Sequence, residues 1–183
     1  MLSVIRERRS IRQFQDKKVE PEKIKDIIDS ALLAPSSKGN NPWQFVLVDD
    51  PDLLKKLSDA REYGSKFIAK APLVVTILTD PRETSVWVED SSIAASFIML
   101  AAQHLNLGSC WVQIRDRFTD QNETSEEYVK GLLNIPKDLR VLCLIAIGYP
   151  DEVKPEKDIP LEKLKEVFLN RYGKNIVFND NIR

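Results

Sequence analysis

Histidine and cysteine are nearly absent: one histidine and two cysteines in 183 residues. Cys110 and Cys143 cannot build a disulfide framework, and with His104 they give no zinc-ligand spacing. His104 sits six residues from Cys110 on an apolar segment, where a core or helix-end role is the ordinary reading, so no thiol–imidazole pair emerges. No stretch approaches the roughly 20 apolar residues of a membrane helix. The start, MLSVIRERRSIRQF, has no apolar run behind its charges, so no signal peptide is expected and the cytoplasm is the expected location. A basic excess is also missing: 27 Lys and Arg face 28 Asp and Glu, for a net charge of -1. That argues against a nucleic-acid partner. GxGxxG and GxxxxGK[ST] do not occur, so neither a Rossmann dinucleotide site nor a P-loop is supported. Carboxylates are plentiful, but no acid–base pair for hydrolysis stands out.

What is there suits one domain with a real core. A short helix is expected over 2–8. Ile24, Ile27, Ile28, Ala31 and Leu32 repeat at helical spacing over 21–34, with Pro21 fit for the first turn. Residues 35–42 are turn formers, followed by a strand over 43–48 and a helix from Pro51 to about Ala60. The β-branched run 73–78 reads as a strand buried on both faces. A long helix over about 86–106 is apolar almost all round, which calls for a central position and cover from a second subunit. Gly108 is expected to end it. A strand over 109–114, a helix over 125–133, a strand over 139–147 and a helix over 160–171 complete the order. The tail from Tyr172 carries Ile176, Val177 and Phe178, an apolar triplet suited to docking on a partner subunit. The order implies α+β or α/β around a small central sheet.

Three clusters carry the candidate chemistry. Arg8, Arg9, Ser10 and Arg12 put three guanidiniums and a hydroxyl into one and a half helical turns, with Arg8 and Arg12 on one face. Guanidiniums suit phosphate oxygens, and each charge-assisted bond is worth roughly 1.5–3 kcal/mol. The plainer alternative is a solvated turn pairing with Glu7 and Asp16. The loop 35–42 offers donors and acceptors in front of a buried strand, and Asn40 or Asn41 could read the edge of a flat heterocycle; a well-capped turn is the alternative. Gly108 to Gln113 could bring backbone amides against a planar ligand. Lys154 and Lys157 follow the last strand and could return positive charge to an anion held by Arg8 and Arg9, or could simply be solvated. Glu89 and Asp90 read as helix-start acids, and Glu126 and Glu127 as first-turn acids on a surface helix.

In order and spacing, these pieces resemble the nitroreductase family of flavin enzymes. Arg8-Arg9-Ser10-Ile11-Arg12-Gln13-Phe14 resembles its N-terminal signature, and Ala34 to Phe45 its second. Ala71 to Val75, Leu105 to Trp111 and Ile147 to Pro150 resemble its later core segments. The resemblance spans almost the whole chain. It implies an α+β three-layer sandwich whose central, mainly antiparallel sheet is flanked by helices. It implies a homodimer with non-covalent FMN at the subunit interface, and NADH or NADPH as electron donor. Carried over, Arg8, Arg9 and Ser10 would hold the phosphate and ribityl region, with Arg12 nearer the ring. Pro35, Ser36 and Ser37 would come from the other subunit, with Asn40 or Asn41 at the ring edge. Cys110, Trp111, Val112 and Gln113 would present backbone near the flavin face, Gly148 would close the last strand, and Lys154 or Lys157 would complete the phosphate pocket. No side chain is expected to act as a nucleophile, and no metal is implied.

The sequence departs from the family pattern at two positions, Gly39 and Asn41, where the family carries asparagine and glutamine; Asn40 could compensate from one place along. The chain is short for the family, which implies an open substrate side. Nitroaromatic, quinone or related acceptors are the implied substrates, taken in a ping-pong cycle through flavin N5. A dehalogenase or flavin-modifying enzyme of the same fold is one alternative, and a non-catalytic FMN-binding sensor or storage protein is another.

Overall fold

The computed structural model describes residues 1–176. Six helices and four strands alternate along it: α1 (Leu2–Glu7), α2 (Pro21–Leu32), β1 (Trp43–Val48), α3 (Pro51–Leu57), β2 (Leu73–Thr79), α4 (Trp87–His104), β3 (Gly108–Gln113), α5 (Ser125–Leu133), β4 (Arg140–Gly148) and α6 (Leu161–Leu164). Short 3-10 turns at Ser37–Gly39 and Lys66–Lys70 were not expected from pattern. Among the described residues no helix is long and apolar enough to cross a membrane.

The strands form one sheet in the order β1-β2-β4-β3, with every neighbouring pair antiparallel. Every residue of β2 is buried, and all of β4 but its first residue. That is why both read as unbroken apolar runs rather than alternating ones. One sheet face packs Val74, Leu78, Val112, Leu144 and Ala146 against Leu54, Leu57, Ile68 and Val129. The other packs Val75, Ile77, Cys143 and Ile145 against Ile27, Ala31, Ala95, Ile98 and Ala102. The result is the expected three-layer α+β sandwich, with α2 and α4 on one side and α3 and α5 on the other.

Local chemistry explains most boundaries. Pro21 opens α2, and Ile27 and Ala31 are its buried stripe. Asp50 caps α3 by accepting from Leu53 N–H, and Thr124 caps α5 by accepting from Glu127 N–H. Three expectations change. Helix α1 stops at Glu7, and Arg8 is already extended (φ -60, ψ 122). Asn106 (φ 60) rather than Gly108 takes the left-handed position after α4. Leu107 N–H then bonds Ala102 C=O and Asn106 N–H bonds Gln103 C=O, the two reversed bonds of a Schellman ending. The helix expected over 160–171 is helical only at Leu161–Leu164 and buries none of those residues. With no face to bury, a short segment cannot offset the entropy of helix formation. Beyond it, Phe168 pairs with Asn175 and Ile176 N–H bonds Val167 C=O. Val177 and Phe178, expected to dock on a partner, lie outside the described residues.

Helix α4 is central, as its composition requires. Yet Ile93 and Phe97 stay about a third exposed. Phe97, Leu100, Ala101, His104 and Leu105 line an apolar groove of about 650 Å³ with Val4 of α1 and Leu33 after α2. His104 therefore belongs to this groove.

Candidate functional site

Helix α1 ends because the next residues are drawn into the sheet. Ser10 bridges Ser109 of β3 in parallel, and Ile11 N–H donates to Ser109 C=O (3.0 Å). Ile11 and Phe14 enter the core. Gly108 makes this possible, since a Cβ there would lie 2.7 Å from Ile11 Cβ. At Gly148 a Cβ would lie 2.5 Å from the Pro72 ring, so glycine serves close packing there. The basic cluster is thus a strap across the sheet end rather than part of a helix. In extended chain, residues two apart share a side, so Arg8, Ser10 and Arg12 still act together, by a different periodicity.

Cys110 follows Ser109 on β3. Burial pushes its thiol pKa up, while Arg12, Lys154, the Ser10 hydroxyl and Arg8 pull it back. The thiol therefore stays protonated, which makes it a poor nucleophile. Cys143 is more deeply buried and its thiol is pushed up further.

Lys154 arrives from the other end of the chain. After β4, Phe14 bridges Pro150, Gln15 N–H bonds Tyr149 C=O (2.9 Å) and Asp151 N–H bonds Gln13 C=O (2.9 Å). The Arg9 guanidinium donates to Pro155 C=O. Lys154 Nζ donates to Ser10 C=O (2.5 Å). Lys157 enters only through its main-chain N–H, on Arg6 C=O, and its side chain is exposed. Of the two lysines, the structure brings Lys154 into the cluster.

Glu152 was not singled out from sequence. Its Oε1 accepts from Arg12 N–H (2.5 Å) and Gln13 N–H (3.2 Å), and its Oε2 lies 3.1 Å from Lys154 Nζ. These bonds, the Arg12 N–H first, hold its carboxyl below the usual range. An acid two residues before a candidate cation was the available signal.

Strand β3 is an edge. Ile114 N–H bonds Leu142 C=O, so Cys110 and Val112 turn their main-chain groups toward β4. The main-chain groups of Ser109, Trp111 and Gln113 face outward. Trp111 Nε1 donates to Gln113 Oε1 (3.0 Å) and Gln113 Nε2 to Arg115 C=O (3.0 Å), which fixes both side chains. Ser109 Oγ is buried with no partner among the described residues.

The loop 35–42 lies elsewhere. Ser37 N–H donates to Asp90 Oδ1 (2.8 Å), and Thr84 donates to Asp90 Oδ2 (3.1 Å). Asp90 is buried, so its role is to pin this loop, beyond the expected helix-start role. Asn40 Nδ2 donates to Glu83 C=O (2.8 Å), and Ser36 Oγ donates to Asn41 Oδ1 (2.9 Å). Each asparagine thus uses one of its two side-chain polar atoms to fix the loop. Lys38 (φ 56) and Asn41 (φ 47) hold left-handed conformations. The loop packs at the start of α4, and the basic strap packs just past its end, about 20 Å apart along the helix. In the sheet, Trp43 lies at the Thr79 end of outer strand β1, while Gly108 pairs with Gly148 on outer strand β3. These are diagonal corners. One chain therefore brings Arg8, Arg9, Ser10, Arg12, Cys110, Gly148 and Lys154 together, and leaves Pro35 to Asn41 apart from them.

The donor set fits a phosphorylated, planar ligand. The strap that carries Arg8, Arg9 and Arg12 and the Lys154 ammonium meet at Ser10, and outward main-chain groups of Trp111 and Gln113 continue along the edge. Metal-free anion binding needs nothing more than such charge-assisted donors.

Comparison with known proteins identifies the fold and the family. The sequence model described as the nitroreductase family covers residues 5–62 and 59–149. An FMN-dependent nitroreductase from Clostridium difficile is 43% identical, with a TM-score of 0.91 over 94% of this chain and 100% of that one. An Archaeoglobus fulgidus protein, provisionally named NADH dehydrogenase/NAD(P)H nitroreductase, is 35% identical over 86% of this chain and 87% of its own. Iodotyrosine deiodinase from Thermotoga neapolitana is 23% identical over 85% of this chain and 91% of its own.

Proposed function

The chain belongs to the nitroreductase family, and on that premise we propose that it binds FMN between two copies of itself. It would pass electrons from NADH or NADPH to nitroaromatic, quinone or related acceptors. Membership makes it a flavin-dependent oxidoreductase; the donor, the acceptor and the site residues are our reading. The observation that carries it is the meeting of the arginine strap and the segment after β4 at one sheet edge, where Ser10 bridges Ser109 and Lys154 Nζ donates to Ser10 C=O (2.5 Å).

Bound FMN would supply the redox chemistry, hydride acceptance from the nicotinamide and electron delivery to the acceptor. The chain supplies position and charge. Arg8, Arg9 and Lys154, with Ser10, would hold the phosphate and ribityl end. Arg12, the cation of the strap nearest the ring, would stabilise negative charge there. Trp111 and Gln113 would offer main-chain donors to the ring edge. Neither cysteine need take part in covalent chemistry. Pro35, Ser36 and Ser37 would come from the partner subunit, because in one chain they lie too far from the strap for a single flavin to touch both. The apolar groove of α1, α2 and α4 supports such pairing: Leu32 and Leu33 are more than half exposed, and exposed apolar patches mark interaction surfaces. The tail from Tyr172 would dock on that partner.

Purified protein should be yellow, and NADH or NADPH should bleach it anaerobically, with colour returning on addition of a quinone or nitroaromatic. A colourless protein that refuses FMN would refute the reading. A second reading, reductive dehalogenation, draws on the likeness to iodotyrosine deiodinase. Halide release from an iodinated phenol, measured against quinone reduction, separates the two.

A further inference from the structure

An acid beside a basic cluster should oppose a phosphate, so Glu152 needs a reason. Its two oxygens are both occupied. Oε1 takes the N–H groups of Arg12 and Gln13, which belong to an extended segment rather than to a sheet strand. Oε2 takes Lys154. A lysine ammonium has three donors on a flexible stem. With Glu152 and Ser10 C=O holding two of them, the ammonium is stationed beside the strap and keeps one donor free. The Arg12 main chain is held as well, while its guanidinium lies over the Phe67 ring at 5.9 Å.

We propose that Glu152 is a positioning residue for the phosphate end of the flavin, aiming the Lys154 ammonium while leaving the ligand untouched. This rests on the FMN reading above. The other charged groups around it are Glu7 and Arg9, which line the same cleft of about 290 Å³, and Arg8 beside Cys110. Its depressed pKa keeps the carboxyl ionised at neutral pH, so it remains an acceptor for all three donors.

Riboflavin lacks the phosphate, and that difference isolates the claim. Apoprotein is titrated with FMN and with riboflavin, following flavin fluorescence. Glu152→Gln, which keeps an oxygen for the Arg12 and Gln13 N–H groups and loses only the ion pair with Lys154, should weaken FMN by about tenfold, the scale of one charge-assisted contact, while riboflavin changes by less than about twofold. Glu152→Ala also frees those two N–H groups, so it should weaken FMN further and, through Arg12, cost riboflavin affinity too; Glu152→Gln carries the test if Glu152→Ala does not fold. In a Lys154→Ala background, removing Glu152 should cost less than it does in the parent. Equal losses for both flavins would make Glu152 a structural staple and overturn the inference. Unchanged or tighter FMN binding, as charge alone predicts, would also overturn it. A parent protein that binds neither flavin overturns the FMN reading itself, a separate result.

Discussion

Tyr149 shows how much one side chain can organise. Its hydroxyl donates to Glu20 (2.7 Å) and accepts from Lys23 Nζ (2.9 Å), while Lys17 Nζ sits 3.7 Å over its ring. Lys23 also donates to Leu105 C=O (3.1 Å), at the end of α4. The segment between the strap and α2 is thereby tied to the same sheet end that carries the basic cluster. The Glu20 carboxyl falls from 4.5 to about 2, chiefly through the Tyr149 hydroxyl and with help from Lys17. A carboxyl depressed in the folded state contributes stability above its unfolded pKa, and loses it as pH falls through the folded one. The Tm gap between the parent and Glu20→Gln should therefore be widest near neutral pH and close as pH falls from 4.5 toward about 2. Calorimetry across that range checks it, and a gap that ignores pH would mean the carboxylate is not the stabilising form.

Among elements, the join between α5 and β4 departs most from its sequence reading. Glu126 has a surface composition around it, yet its carboxylate takes Arg140 Nε (2.7 Å), Arg140 Nη2 (2.9 Å) and Val141 N–H (2.9 Å). Burial would raise its pKa, but Arg140, the Val141 N–H and Lys130 together hold it down. Lys130 is itself buried, 3.3 Å from Glu126. Glu126→Ala leaves the Val141 strand N–H and the Arg140 guanidinium without their acceptor, and takes one carboxylate from the buried Lys130 ammonium, which keeps Lys137 C=O (3.2 Å) and Glu127 (3.5 Å). It should cost about 2–4 kcal/mol in urea unfolding; a loss below about 0.5 kcal/mol would class the pair with ordinary surface bridges. Periodicity located α2, α4 and the strands because each buries a face whose spacing shows in sequence. The same signal misread the strap. Arg8 and Arg12 suit a helix by spacing, but Ile11 and the Ser109 edge gain more by pairing with β3. It also overextended α6, where apolar residues recur but nothing lies beneath them.

Across the whole molecule, the decisive fact is that the strap and the loop 35–42 occupy opposite corners. If each flavin site takes a strap from one subunit and a loop from the other, two defective chains can complement. A variant lacking the strap cations (Arg8→Ala with Arg12→Ala) and a variant with the loop displaced (Ser37→Pro, which removes the N–H held by Asp90) should each bind FMN poorly. Unfolded together and reassembled, they should recover about a quarter of the parental sites, since half the random dimers are mixed and each mixed dimer keeps one intact site. Flavin absorbance per dimer measures this. No recovery would mean that strap and loop serve the same flavin within one chain, or serve different ligands.

The sequence by itself determined a layered arrangement of helices around a small sheet, α+β or α/β by its pattern and α+β by its family resemblance, with the buried strands and central helix. It also marked the basic residues as unusual, because burial and charge leave their mark in composition and spacing. Only the tertiary structure decided that the cations converge through an extended strap. It selected Lys154 over Lys157, gave Asp90 and Glu152 their work as holders of backbone, and set strap and loop apart. Those outcomes depend on which distant backbone groups need partners after the sheet has closed, and no local pattern carries that information.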